Sequence, residues 1–235
     1  MPQGLDTAIR HFVLTTENIA RTSGELHEWL GVGQGQTHSY TLEYGFVNEI
    51  VMLGTSFVEL GQPIWAGHRL HGVLEDRGGD CAQMIVLETD DAVALRERAL
   101  ARNFTLVKDK EFQGQKVLQF DPEVFGTRFE TYEYHLPDGW WTGRPENYTP
   151  STVVEDVLGA DIAVGHPAQT AARIAEVYRA KLDADGTSVH FGDKTLHFVP
   201  ADGGWEGLTA LNLAALDPAR RGDSRTICGT EFRFV

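Results

Sequence analysis

Cysteine is nearly absent from this chain of 235 residues, which has only Cys81 and Cys228. Two cysteines so far apart exclude a disulfide framework, and neither forms a Cys-x-x-Cys metal or redox pair. A reducing cytoplasm is the expected setting. Positive charge is also scarce: 20 Lys and Arg stand against 34 Asp and Glu, a net charge of −14. That balance repels phosphate backbones and anionic membrane surfaces, so neither nucleic acid nor membrane is an expected partner. No apolar run approaches the roughly 20 residues needed to span a bilayer. Met1-Pro-Gln-Gly-Leu-Asp6 lacks the basic and apolar regions of a signal peptide, so export by that route is not expected. Hydrophobic residues are in good supply at 42%, enough to build one large domain or two small ones.

The organising feature is a repeat. Ala8 to Thr16 reads as a strand, Glu17-Asn18 as a cap and Ile19 to Leu30 as a helix. Strands are then expected over Tyr40 to Tyr44, Glu49 to Leu53 and Ser56 to Leu60, with turns at Gly45 and Gly54. The pattern restarts with a strand over Ala82 to Thr89, a cap at Asp90-Asp91, a helix over Ala92 to Ala101 and a closing strand over Thr127 to Tyr134. Aligned copy on copy, His11 falls on Met84 and Glu59 on Glu130. Such units cannot bury their apolar faces alone, so paired copies share a core and often a site. Module 1 is placed at about 6–61 and module 2 at about 80–135, paired as one region over 6–135. A Pro- and Gly-punctuated linker covers 136–151. A weaker third copy lies within 152–235, with a strand over Ala160 to Val164, a helix over Ala168 to Leu182 and a hairpin over Val189–Phe191 and Thr195–Val199. Leu208 to Leu216 opens a partial fourth, with Asp217-Pro218 where a helix is expected. Between the first two copies, Gly61 to Gly72 reads as a surface connection and Leu74 to Asp80 as a charged surface stretch ending in a Gly78-Gly79 turn.

Inside apolar strands, ionised carboxylates such as Glu59 in Phe-Val-Glu-Leu are costly unless a cation or hydrogen bonds compensate them. That makes Glu59 and Glu130 candidate site residues together with His11, which shares a strand face with Ile9 and Val13. A histidine on an apolar face also serves as a hydrogen-bonded structural residue, which is the plainer reading of His11 alone.

A tandem β-α-β-β-β unit with His-Phe-Val-Leu in its first strand and Phe-Val-Glu-Leu in its last resembles the vicinal oxygen chelate superfamily. Asn48 to Leu60, Arg77-Gly-Gly-Asp80 and Asp121-Pro-Glu-Val-Phe-Gly126 resemble its glyoxalase-like proteins. The resemblance implies an α+β fold of curled mixed sheets forming half-barrels with helices on the outer face. It also implies a divalent metal (Mn, Fe, Co, Ni, Zn or Mg) on His11, Glu59 and Glu130. Met84 departs from this pattern, because a thioether is a soft ligand that suits such ions poorly; Gln83, His68, His71, His135 or a water are the substitutes. The expected activity is that of a lyase or isomerase acting on a small carbonyl compound through a metal-stabilised enolate, with Glu130 or Glu59 as base. One alternative is a metal-free protein that sequesters a small molecule, as resistance members of the superfamily do. The other is extradiol ring cleavage, which needs two histidines and one carboxylate. A homodimer is also open.

Other motifs have structural explanations. Gly31-x-Gly33-x-Gly35 follows a helix, whereas a dinucleotide-binding loop follows a strand and opens a helix. His190 and His197 on the third-copy hairpin have no matching carboxylate motif. Trp140-Trp141 serves either to close a pocket or to dock the linker.

Overall fold

The computed structural model describes residues 7–33, 35–112, 114–133 and 149–235. The architecture is α+β, and one topological rule recurs four times. The first strand of each module pairs in parallel with its last, and the intervening strands are antiparallel neighbours on the outer side of that last strand. Packing gathers the modules into two compact units that combine early and late stretches of the chain.

One unit comprises residues 11–83, 144–158 and 209–235. It holds module 1: β1 (Thr7–Thr15, from His11 on), α1 (Ile19–Leu30), β2 (Phe46–Leu53), β3 (Ser56–Pro63) and α2 (Arg69–Arg77). β1 pairs with β3 in parallel, with Val13 opposite Glu59, while β2 lies antiparallel on the far side of β3 with Ile50 opposite Glu59. The α1 helix starts where the Asn18 side chain accepts from the Arg21 N–H, and it ends at Gly31 in the left-handed region. It buries Leu26 and Leu30.

Two expectations for this module fail. Tyr40 to Tyr44 is no strand: Ser39–Tyr44 forms a 3-10 helix that buries only Thr41. The Thr41 hydroxyl and N–H both bond back to the His38 carbonyl, which closes a turn where a strand would need a ladder partner. Gly61 to Asp80 is not simply loop either. β3 extends to Pro63, and α2 follows on a single buried pair four residues apart, Leu70 and Leu74. So narrow an apolar stripe falls below what helical periodicity detects. The Arg77-Gly-Gly-Asp80 turn ends α2, and the Asp80 carboxylate then receives the Thr16 hydroxyl, the Glu17 N–H and Arg21 at the start of α1.

The second unit comprises residues 1–10, 84–143 and 159–208. From module 2 it takes β4 (Cys81–Thr89, from Met84 on), α3 (Ala92–Leu100), β5 (Leu106–Phe112), β6 (Gln115–Phe120), α4 (Pro122–Phe125) and β7 (Arg128–Glu133). The strand order is β4-β7-β6-β5. From module 3 it takes β8 (Val154–Val164, from Gly159 on), α5 (Pro167–Tyr178), β9 (Lys181–Leu182), β10 (Ser188–Phe191) and β11 (Lys194–Pro200). The predicted third helix stops four residues early. Arg179 takes a left-handed conformation and the chain enters β9. Tyr178 fills the centre of this unit among Phe120, Phe125, Phe129 and Phe191, with its hydroxyl 2.9 Å from that of Thr131.

The fourth module completes the first unit with β12 (Gly207–Ala215, from Thr209 on), β13 (Ser224–Ile227) and β14 (Thr230–Phe234). Where a helix is expected at Asp217-Pro218, the chain forms only a 3-10 turn at Pro218–Arg220, with the Asp217 side chain accepting from the Ala219 N–H. Arg220 there lies over the rings of Trp29 and Phe234. Most of the stretch read as a linker, including Trp140-Trp141, lies outside the described residues, as does His135.

Candidate functional site

The repeat alignment holds at the level of register. Val13 faces Glu59 across a parallel pair of strands and Val86 faces Glu130 in the same way, so His11 and Met84, two residues earlier, occupy matching places. Each glutamate anchors a polar cluster within its own unit.

In the first unit, His11 is 2% exposed and stacks on Phe57 with ring centroids 4.2 Å apart. Its Nε2 lies 3.4 Å from Glu59 Oε2. The Asn48 amide donates to Glu59 Oε1 at 2.8 Å, and the His38 N–H donates to Asn48 Oδ1 at 2.9 Å. Burial works to raise the Glu59 pKa, but the hydrogen bonds from His11 and Asn48 and the charges of His11 and His38 outweigh it, and the carboxyl sits below its ordinary value. Burial pushes His38 the other way for an imidazole, lowering its pKa against the raising effect of Glu59. The result is an ionised carboxylate in an apolar strand, its side chain 14% exposed.

In the second unit, Glu130 is 5% exposed, and its Oε2 accepts from Gln119 Nε2 at 2.7 Å and from Lys108 Nζ at 2.8 Å. The same Gln119 amide approaches Met84 Sδ at 3.6 Å. Arg128 donates to Gln119 Oε1 at 3.3 Å.

The structure therefore brings His11 and Glu59 together and gives Glu130 a different set of neighbours, led by Lys108. Sequence reading missed Asn48, Gln119 and Lys108. The two amides carried a signal: in each copy they stand on the strand antiparallel to the one bearing the glutamate. Lys108 carried none, since its contact depends on the β5–β6 register.

These donors do not fit the divalent centre that the resemblance implies. An ammonium and an amide already share one Glu130 oxygen, so a metal there would have to expel Lys108. Met84 offers only a soft thioether. Among the described residues, no three His, Cys, Asp or Glu side chains are grouped to hold a metal ion. Of the substitute ligands, His68 caps α2 by accepting from the Leu70 N–H, and it lines with His71 an open cavity of about 480 Å³.

The third-copy histidines do have carboxylate neighbours. His190 Nε2 lies 2.6 Å from Asp183 Oδ2 and its Nδ1 lies 3.0 Å from the Thr195 hydroxyl. His197 contacts Ser188, which donates to Asp185.

No protein-family model matches the sequence, and no curated protein matches it. Solved structures do. A hypothetical protein from Staphylococcus aureus superposes with a TM-score of 0.70 at 14% identity, over 97% of this chain and 99% of that one. A mutant of 4-hydroxymandelate synthase from Streptomyces coelicolor superposes with a TM-score of 0.69 at 15% identity, over 91% of this chain and 72% of that one. Methylmalonyl-CoA epimerase from Mycobacterium tuberculosis matches at a TM-score of 0.48 and 14% identity, over 56% of this chain and 91% of its own. At these identities the likeness concerns the fold. The chain has the vicinal oxygen chelate fold, built from tandem β-α-β-β-β modules.

Proposed function

We propose that the chain is a lyase or isomerase acting on a small carbonyl compound, with Glu59 as the base that removes a proton from the carbon next to the carbonyl. The observation that carries this reading is the Glu59 carboxylate, kept ionised and only 14% exposed by His11 and Asn48. Burying such a group costs free energy, and a base positioned beside an apolar wall is a use that explains the cost. In the reaction the proton passes from carbon to a Glu59 oxygen and the C–H electron pair moves into the carbonyl to give an enolate. Returning the proton to the same or a neighbouring carbon isomerises the substrate. Expelling a group from the next carbon makes the reaction a lyase step. His11 and Asn48 position the carboxylate throughout.

A sequestration role is the second reading, favoured by one observation. Leu42, Tyr44, Ile64 and Trp65 of the first unit are each 44–52% exposed, an apolar set suited to gripping a hydrophobic ligand.

The test is proton exchange in D₂O, followed by ¹H NMR on a panel of small ketones, aldehydes and keto acids. Wild type should wash deuterium into the α position of at least one compound, with chelator present or absent, and Glu59→Gln should not. Binding without exchange across the panel would favour sequestration. Exchange abolished by chelator and restored by a divalent ion would overturn the metal-independent mechanism.

A further inference from the structure

We propose that Arg128 and Lys108 form a binding subsite for a single carboxylate group on the sheet of module 2. Lys108, Gln119 and Glu130 stand opposite one another across β5, β6 and β7, so their side chains share one face. Arg128, two residues before Glu130, shares that face beside Met84. Glu130 is spoken for by Lys108 and Gln119. The Arg128 guanidinium, half-buried, has one hydrogen bond, to Gln119 Oε1, and among the described residues no carboxylate lies within 4.0 Å of it.

A guanidinium has five N–H donors in a planar fork that matches a carboxylate in two-point fashion. Holding it partly out of water without a counter-ion is unfavourable, and burial indeed depresses its pKa against the distant pull of Asp121 and Glu130. The charge count sets the ligand class. Within the hydrogen-bonded cluster two cations, Lys108 and Arg128, and one carboxylate, Glu130, leave one positive charge, which a monocarboxylate cancels; Asp121 lies outside it and caps α4 through the Glu123 N–H. A phosphate dianion would overshoot inside a protein that is already strongly acidic. Gln119 locks the arrangement, since its amide nitrogen holds Glu130 and its oxygen holds Arg128. The subsite goes beyond proton transfer at Glu59 and stands independently of it.

Titration calorimetry at fixed ionic strength tests the subsite, using acetate, pyruvate and benzoate as probes against acetamide, pyruvamide and benzamide, with inorganic phosphate as the dianion. At least one carboxylate should bind saturably and at least ten-fold more tightly than its amide and than phosphate. Arg128→Gln should remove that preference, Arg128→Lys should retain part of it, and Arg221→Gln, at an exposed surface site, should leave it intact. Should Arg128→Gln fail to fold, Lys108→Gln takes its place: it removes the net positive charge and must weaken the carboxylate severalfold. Equal binding of acid and amide, no binding of any of the three acids, or unchanged affinity in the folded variants overturns the proposal. Glu59→Gln should keep the carboxylate affinity, so this result and the exchange assay fail separately.

Discussion

His11 Nε2 lies 3.4 Å from Glu59 Oε2 across two strands that run parallel, and the imidazole is itself pinned by stacking on Phe57. Strand register brings the two side chains together, and the His38 N–H, ahead of the 3-10 helix, steadies the Asn48 amide that holds the other Glu59 oxygen.

Replacing Glu59 by Gln keeps an acceptor for Asn48 and removes the base. Turnover in the exchange assay should fall by about 10²- to 10⁴-fold, the usual contribution of a positioned general base. The melting temperature at pH 7 should fall modestly, because the ionised carboxylate contributes to stability there, while circular dichroism should show the fold retained; loss of the fold would assign Glu59 a structural role instead.

The same residue links stability to pH. Its folded pKa is lowered from the ordinary 4.5, so its contribution is fully present above that value and is lost as pH falls through the folded pKa. Urea midpoints measured from pH 7 down to pH 3 should fall less steeply for Glu59→Gln than for wild type. Parallel curves would mean that the carboxyl titrates alike in both states.

Tyr178 couples α5 to β7 through its hydroxyl, 2.9 Å from that of Thr131, while its ring sits 1% exposed among phenylalanines. Tyr178→Phe should cost about 1 kcal/mol, the net worth of one buried hydrogen bond. Tyr178→Ala should cost about 3–5 kcal/mol by opening a cavity. Equilibrium urea unfolding separates the two.

Gly229 links β13 to β14 at φ +62°, and a Cβ there would run into the Asp80 carbonyl oxygen. Gly229→Ala should therefore destabilise by more than the ~1–2 kcal/mol of a left-handed L-residue alone. Gly222→Ala, also at positive φ but with open space around it, isolates the steric part. Equal losses in the two variants would show that the Asp80 contact carries no weight.

Much of this was legible along the chain. Alternation in Ile9, His11 and Val13 predicted the strand, Asn18 and Gly31 bracketed α1, and matching the closing strand of each copy aligned Glu59 with Glu130 before their register was known. The 3-10 turn at Ser39–Tyr44 was not legible, because aromatic residues there satisfy strand propensity while the His38 carbonyl captures the backbone. Nor was α2, whose apolar face is a single Leu70–Leu74 pair.

The sequence by itself determined the repeat, the strand faces and the matching positions of Glu59 and Glu130, because these follow from local periodicity repeated in each copy. Tertiary structure decided what each glutamate meets. Lys108 reaches Glu130 because the β5–β6 and β6–β7 registers place it two strands away on the same face. Those registers are set by turns and by packing across the sheet, which no local pattern around Glu130 encodes.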